Sequence, residues 1–242
     1  NTHKRTLSAV DKFINVSSKS DKEIAELSRN LQIDIAVDLM GHTTESRFKI
    51  FTERCAPLQV SYLGYPGTLG ANCIDYLIAD KTVIPTENQK FYSEKIIYLP
   101  NTYLVNDSKT KISDKNFTRE ELGLPKSDFV FCCFNQSHKI LPETFHIWMK
   151  ILKKINRSVL WLFETNKISS KNLKKQSTRA GIDASRIIFA KRIPLLEEHL
   201  ARYKNADLFL DTFPYTAHST CSDSLKAGLP VLTLQGQSFA SR

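Results

Sequence analysis

Five short apolar runs in the second half of the chain constrain its fold more than anything else in the sequence. They are FVFCCFN (129–135), SVLWLFET (158–165), IIFA (187–190), ADLFLDT (206–212) and PVLTLQG (230–236). Each is strand-length, rich in Val, Ile, Leu and Phe, and without alternation, as expected of strands buried on both faces. Amphipathic segments separate them: PETFHIWMKILKKI, SSKNLKKQSTRAGI, LLEEHLARYKNA and CSDSLKAG. Strand and helix patterns in strict alternation predict an α/β fold with a parallel, doubly wound sheet.

The first half carries the same pattern less regularly. SDKEIAELSRNLQ reads as a helix capped near Ser20 or Asp21, IDIAVDLMG as a strand, TESRFKIFTERCA as a helix, and LQVSYLGYPG as a strand running into a turn. IDYLIAD and EKIIYLP are further strands. The polar stretch 106–128 is the least structured, and a domain boundary is expected within it, dividing the chain into 1–112 and 113–242. A length of 242 residues suits one large domain or two ordinary ones. The first half opens without a clear first strand and the second stops where a crossover helix should follow, so a fragment of a longer protein is expected.

Bulk properties exclude several classes. No apolar run approaches the ~18 residues of a membrane helix, and the N-terminus has no signal-peptide core, so a cytoplasmic protein without a membrane partner is expected. The formal net charge is +9. Its lysines are spread over helix-like and loop segments such as KILKKI and SSKNLKKQS, which read as solvated faces. Clusters mixing Arg with aromatics are missing, and no nucleic-acid partner is expected. The five cysteines include no CxxC pair and read as reduced, mostly buried thiols without a zinc site.

Chemistry is expected at the carboxyl ends of the strands, where open parallel sheets bind ligands. Beyond Asp211 the loop FPYTAHST leads into a helix starting near Ser219 or Thr220, and Thr220-x-x-Asp223 has a capping-box shape. A helix start offers free N–H groups to a phosphate, and small residues allow close approach. His218 adds a donor that can become cationic, and Asp223 suits sugar hydroxyls; an ordinary capped helix with a surface His is the plainer alternative. Lys139, in FNQSHKILPETF after another strand, could neutralise a diphosphate or simply be solvated. His199 could stack on a base or be a half-buried helix residue. In the first half, DLMGHT and LGYPGT both end strands, and Pro66-Gly67 signals a type II turn. There His42 could serve as a general base, as a hydrogen-bond donor, or structurally.

These motifs, with RCAPLQVSYLGYPGT, YSEKIIYLP, FCCFNQSHKILPETFHIWMKIL and EEHLARYKNADLFLDTFPYTAHSTCSDSLKAGLPVLTL, resemble the catalytic region of protein O-GlcNAc transferases, the family that includes the SPINDLY-type protein O-fucosyltransferases. The likeness runs from about residue 30 to the end. It implies a GT-B fold of two Rossmann-like domains, both partial here. It implies inverting, metal-independent transfer of a sugar from UDP to Ser or Thr hydroxyls of a protein acceptor, with no cofactor; no convincing DxD motif is present. By motif, Gln136 and Lys139 match diphosphate contacts, His199 the residue stacked on uracil, and His218, Ser219 and Thr220 the diphosphate loop. Asp223 matches the ribose contact, and Leu63, Gly64 and Tyr65 lie in a loop near sugar and acceptor. Tetratricopeptide repeats usually precede such a region. GYPGT and the AHST…D combination favour UDP-GlcNAc over GDP-fucose. A non-catalytic nucleotide-binding module is the remaining alternative.

Overall fold

The computed structural model describes residues 2–242. The chain forms two compact units, one ending at Val105 and the other beginning at Asn106. The division falls at the start of the polar stretch 106–128, ahead of the expected 112/113. That stretch is tied to the second unit. Ser113 N–H donates to the Glu197 carbonyl at 3.1 Å, Lys226 Nζ donates to the Asp107 carbonyl at 2.8 Å, and Lys115 pairs with Glu198 at 3.0 Å.

The first unit comprises α1 (Thr2–Ser8), α2 (Asp21–Asn30), β1 (Ile35–Asp38), α3 (Lys49–Thr52), β2 (Leu58–Tyr62), β3 (Tyr76–Ala79) and β4 (Lys95–Tyr98). Its four strands pair in parallel in chain order. Ser20 caps α2 in a reciprocal box: its hydroxyl accepts from Glu23 N–H, and Glu23 Oε2 accepts from Ser20 N–H at 2.8 Å. The helix expected over 44–56 shrinks to Lys49–Thr52. Glu45 and Arg54 take positive φ, and the flanking arginines serve loops instead. Arg47 reaches Asp21 and the Lys19 carbonyl, and Arg54 reaches the Pro57 carbonyl and Asp75. Fully buried Gln59 bonds the Phe51 and Cys73 carbonyls and accepts from Cys55 N–H, locking α3 onto the sheet.

The second unit contains β5 (Phe129–Cys133), α4 (Pro142–Lys154), β6 (Ser158–Phe163), α5 (Lys167–Arg179), β7 (Ile187–Ala190), α6 (Leu196–Ala201), β8 (Leu208–Leu210), α7 (Ser219–Lys226) and β9 (Val231–Leu232). All pairs are parallel, in the order β7-β6-β5-β8-β9. This is the doubly wound arrangement, and one core cluster running from Leu124 to Leu229 packs around it. β9 is shorter than the expected 230–236 because the chain leaves the sheet after Leu232: Thr233 turns its hydroxyl to Asp211 and Gly236 N–H bonds the Ser241 carbonyl. Cys132 and Cys133 are both fully buried, since both faces of β5 are covered, and burial pushes the Cys133 thiol up to about 12. All five cysteines are free thiols. Among the described residues, no helix is long and apolar enough to cross a membrane.

Candidate functional site

The strand order makes one place in the second unit special. β5 continues to β6 on one side, and its other neighbour is β8. Here the winding reverses, so the loops leaving β5 and β8 diverge and open a crevice. Asp211, just beyond β8, organises it. Its Oδ1 accepts from Asn135 Nδ2 at 3.0 Å, Thr212 N–H at 2.7 Å and Ala217 N–H at 2.8 Å, and its Oδ2 accepts from the Thr233 hydroxyl at 2.7 Å. Asn135, 2% exposed, also donates to Thr212 Oγ1 at 2.8 Å and accepts the Thr220 hydroxyl. Both loops and the first turn of α7 are thereby tied into one unit.

Three sequence-predicted residues meet above this network. Lys139 closes a single turn of 3-10 helix and donates from Nζ to the Thr216 carbonyl at 3.1 Å, with the Tyr215 ring 4.1 Å away. The His218 ring stacks on Tyr215 with centroids 5.4 Å apart and turns Nε2 to the Ala240 carbonyl at 3.4 Å. Burial disfavours the cationic form of both and lowers their pKa values; Asp211 opposes this at each. Four donors already occupy Asp211, and among the described residues no hydrogen bond or ion pair joins Lys139 to a carboxylate. An incoming anion would therefore meet an ammonium that no carboxylate holds by a direct contact, and an imidazole whose protonation it would favour. Gln136, exposed, opens the same turn.

α7 starts at Ser219 as expected, with His218 as its cap residue. The expected Thr220–Asp223 capping box does not form: the helix starts two positions earlier than such a box requires, with His218 at the cap and no side chain capping this end, and the Thr220 hydroxyl is bound to Asn135 instead. The N–H groups of Ser219 and Thr220 are among those a helix start leaves without an internal acceptor. Asp223 follows one turn later, half-buried, with its carboxyl raised by burial. It neighbours Tyr203, in the turn following α6.

His199 lies on α6 against Phe134, ring centroids 5.8 Å apart. Its Nδ1 pairs with Arg202 Nη2 at 2.6 Å. Burial, then the Arg202 charge, lowers its pKa to about 4, so the imidazole is neutral at pH 7. Arg202 is 1% exposed, stacks on Phe134 at 4.4 Å and donates to the Lys191 carbonyl at 2.6 Å.

In the first unit, the loops after β1 and β2 interlock. Asp38 accepts from Met40 and Gly41 N–H, and a Cβ at Gly64 would stand 2.3 Å from the Leu39 carbonyl oxygen. Leu63 takes φ +73°, so the backbone strain of this loop sits there; Pro66 and Gly67 are both buried, and no hydrogen-bonded turn is assigned at the expected Pro66-Gly67 position. His42 lies 5.5 Å from the Tyr65 ring and its Nε2 is 3.1 Å from the Leu69 carbonyl.

The structure thus gathers Gln136, Lys139, His218, Ser219 and Thr220 in one crevice, with Asp223 and His199 on the adjoining helices. His42, Leu63, Gly64 and Tyr65 form a separate corner in the first unit. Sequence reasoning missed Asn135, Asp211 and Arg202. Only Asp211, an acid ending an apolar run, left a visible trace. Among the described residues, no group of three His, Cys, Asp or Glu side chains is placed to hold a metal ion.

Comparison with known proteins agrees with this architecture. A probable UDP-N-acetylglucosamine–peptide N-acetylglucosaminyltransferase of Arabidopsis thaliana is 38% identical over 243 residues, covering 98% of this chain and 25% of that protein. The Caenorhabditis elegans UDP-N-acetylglucosamine–peptide N-acetylglucosaminyltransferase is 26% identical, with 87% of this chain and 28% of that protein covered. The chain therefore spans about a quarter of the length of such relatives. A solved mutant O-GlcNAc transferase of Thermobaculum terrenum superposes with a TM-score of 0.86 at 31% identity, over 99% of this chain and 45% of that one. A glycosyltransferase structure from Rickettsia africae, 12% identical with a TM-score of 0.57, shares the fold over 96% of this chain and 68% of that one. The fold is of GT-B type. Residues 1–115 and 113–242 both match the family described as Glycosyl transferase family 41, and the chain belongs to that family.

Proposed function

We propose that this chain is part of the catalytic region of an inverting, metal-independent transferase that moves GlcNAc from UDP-GlcNAc to Ser or Thr hydroxyls of proteins. One observation carries the reading: Lys139, His218 and the start of α7 converge at the switch point of the second sheet, beside an Asp211 carboxylate already bound by four donors. The activity for which the relatives are named suggests the sugar nucleotide and the peptide acceptor.

In this reading the acceptor oxygen forms a bond to the anomeric carbon as the bond to the diphosphate oxygen breaks. The electron pair leaves with UDP. Lys139, His218 and the N–H groups of Ser219 and Thr220 stabilise the charge that develops there. Gln136 contacts the diphosphate, Asp223 accepts from ribose hydroxyls, and the neutral face of His199 stacks on uracil. Leu63, Gly64 and Tyr65 serve the sugar and acceptor, and His42 is the candidate to take the hydroxyl proton.

A unit charge pair at about 4 Å and an effective dielectric near 20 is worth about 4 kcal/mol, an upper bound of about a thousandfold in affinity; solvent screening of the half-buried Lys139 cation reduces the expected loss to on the order of a hundredfold in UDP affinity. Calorimetry on the full-length protein tests this. UDP should bind at micromolar to millimolar levels, more tightly than GDP, and Lys139→Ala should weaken it. Failure of the wild type to bind UDP refutes the reading, and a preference for GDP points to fucosyl transfer. Mass spectrometry for sugar on acceptor protein, lost in His218→Ala, separates an enzyme from a nucleotide-binding module.

A further inference from the structure

The net charge of +9 plays little part in the chemistry above, yet the fold brings together the two lysine-rich segments that carry much of it. β5, β6 and β7 are neighbours, so right-handed crossovers place α4 and α5 side by side on one face of the second sheet. Between them runs a groove of about 640 Å3. Its floor is apolar, built by buried Phe145 and Met149 with half-buried Leu173. Its rim is cationic, formed by exposed Lys150, Lys153 and Arg179. No Asp or Glu lines it, and none of these three cations forms an ion pair among the described residues. One end is Ile140, the residue after Lys139, but no groove residue belongs to the proposed sugar-transfer site.

We propose that this groove docks an acidic amphipathic helix of a partner protein. The charge complementarity is one-sided, so the occupant must be anionic. The apolar floor discriminates among anions. A nucleic acid would use the rim and leave the floor bare. An anionic membrane needs apolar side chains that protrude, whereas these are recessed below the cations. A helix with leucines at i, i+3, i+4 and i+7 fills the floor while its other face offers carboxylates to the rim. α4 has 13 residues, which makes it about 20 Å long and matches between about three and four turns of such a ligand.

Fluorescence anisotropy on the full-length protein tests the proposal. The probe is a fluorescein-labelled 14-residue peptide, about four turns, with leucines on one face and glutamates elsewhere. It should bind at micromolar Kd and weaken with salt. A scrambled peptide of the same composition should bind at least about tenfold more weakly. The triple variant Lys150→Glu, Lys153→Glu, Arg179→Glu should lose at least about tenfold while UDP affinity and melting temperature stay unchanged. Should the triple variant melt lower, Lys150→Glu and Arg179→Glu taken singly carry the comparison. Equal binding of the scrambled peptide, or no loss on charge reversal, overturns the proposal. So does charge-dependent binding of single-stranded RNA or phosphatidylserine vesicles where the peptide fails to bind. The outcome does not depend on sugar transfer.

Discussion

The neutral, half-buried His199 makes the stability of the second unit depend on pH in a defined direction. Its pKa falls from the ordinary 6.5 to about 4, through burial first and the Arg202 cation second. In the unfolded chain the ring takes up a proton near 6.5, and in the folded chain only near 4. Between these values the unfolded state binds the extra proton, so stability is fully present above 6.5 and falls as pH drops towards 4. The displacement is worth about 3 kcal/mol at full burial, and the ring's partial exposure trims it to about 2 kcal/mol. Both tryptophans, Trp148 and Trp161, lie buried in the core of the second unit, so their fluorescence reports its unfolding alone. Urea titrations at pH 7 and pH 4.5 should show the wild type losing about 2 kcal/mol more than His199→Phe. The variant keeps a ring against Phe134 and Tyr203 but has no proton to gain. Its lost Arg202 contact lowers the whole curve without changing its pH slope. Parallel pH dependences in the two proteins would refute the assigned burial and charge effect.

Two further perturbations probe the loops. Asn135→Ala removes three hydrogen bonds at a buried position, one of them to a carboxylate. At about 1 kcal/mol each, somewhat more for the charged partner, the second unit should lose about 3–4 kcal/mol by tryptophan fluorescence, and UDP should bind at least several-fold more weakly; a loss below about 1 kcal/mol contradicts the tether. Gly64→Ala places a Cβ 2.3 Å from the Leu39 carbonyl oxygen and 3.0 Å from that of Met40, backbone atoms that cannot swing aside. Faster amide exchange in β1 and β2, reflecting about 1–3 kcal/mol of local destabilisation, with unchanged tryptophan unfolding, is the expected result.

Much of the candidate site was legible because its residues stand at strand ends, and strand ends follow from local apolar patterning. Lys139 after FVFCC and His218 after DLFLD were assigned to one sheet edge on that ground. The Ser20 cap was legible for the same reason, since its partner Glu23 is three residues away. What failed involved distant partners. Thr220-x-x-Asp223 has the spacing of a capping box, but Asn135, 85 positions away, takes the Thr220 hydroxyl. The helix expected over 44–56 was lost to arginines bonding groups well outside it, Asp21 and Asp75 among them. Arg202 was invisible because an Arg on an amphipathic helix usually faces water, whereas this one is buried under Phe134 and His199.

The sequence by itself determined the alternation of strand and helix, and with it the parallel α/β class, because burial periodicity is written residue by residue. It also placed the candidate anion-binding groups beyond strand ends. Only the tertiary structure decided that β8 lies beside β5. That adjacency brings Asp211 to Asn135 across 76 positions and turns two ordinary loops into one crevice. The β5-β6-β7 order likewise set α4 beside α5, converting two lysine-rich helices that read as solvated faces into the walls of a single groove. Strand order is chosen by the packing of whole crossovers, and no local pattern encodes it.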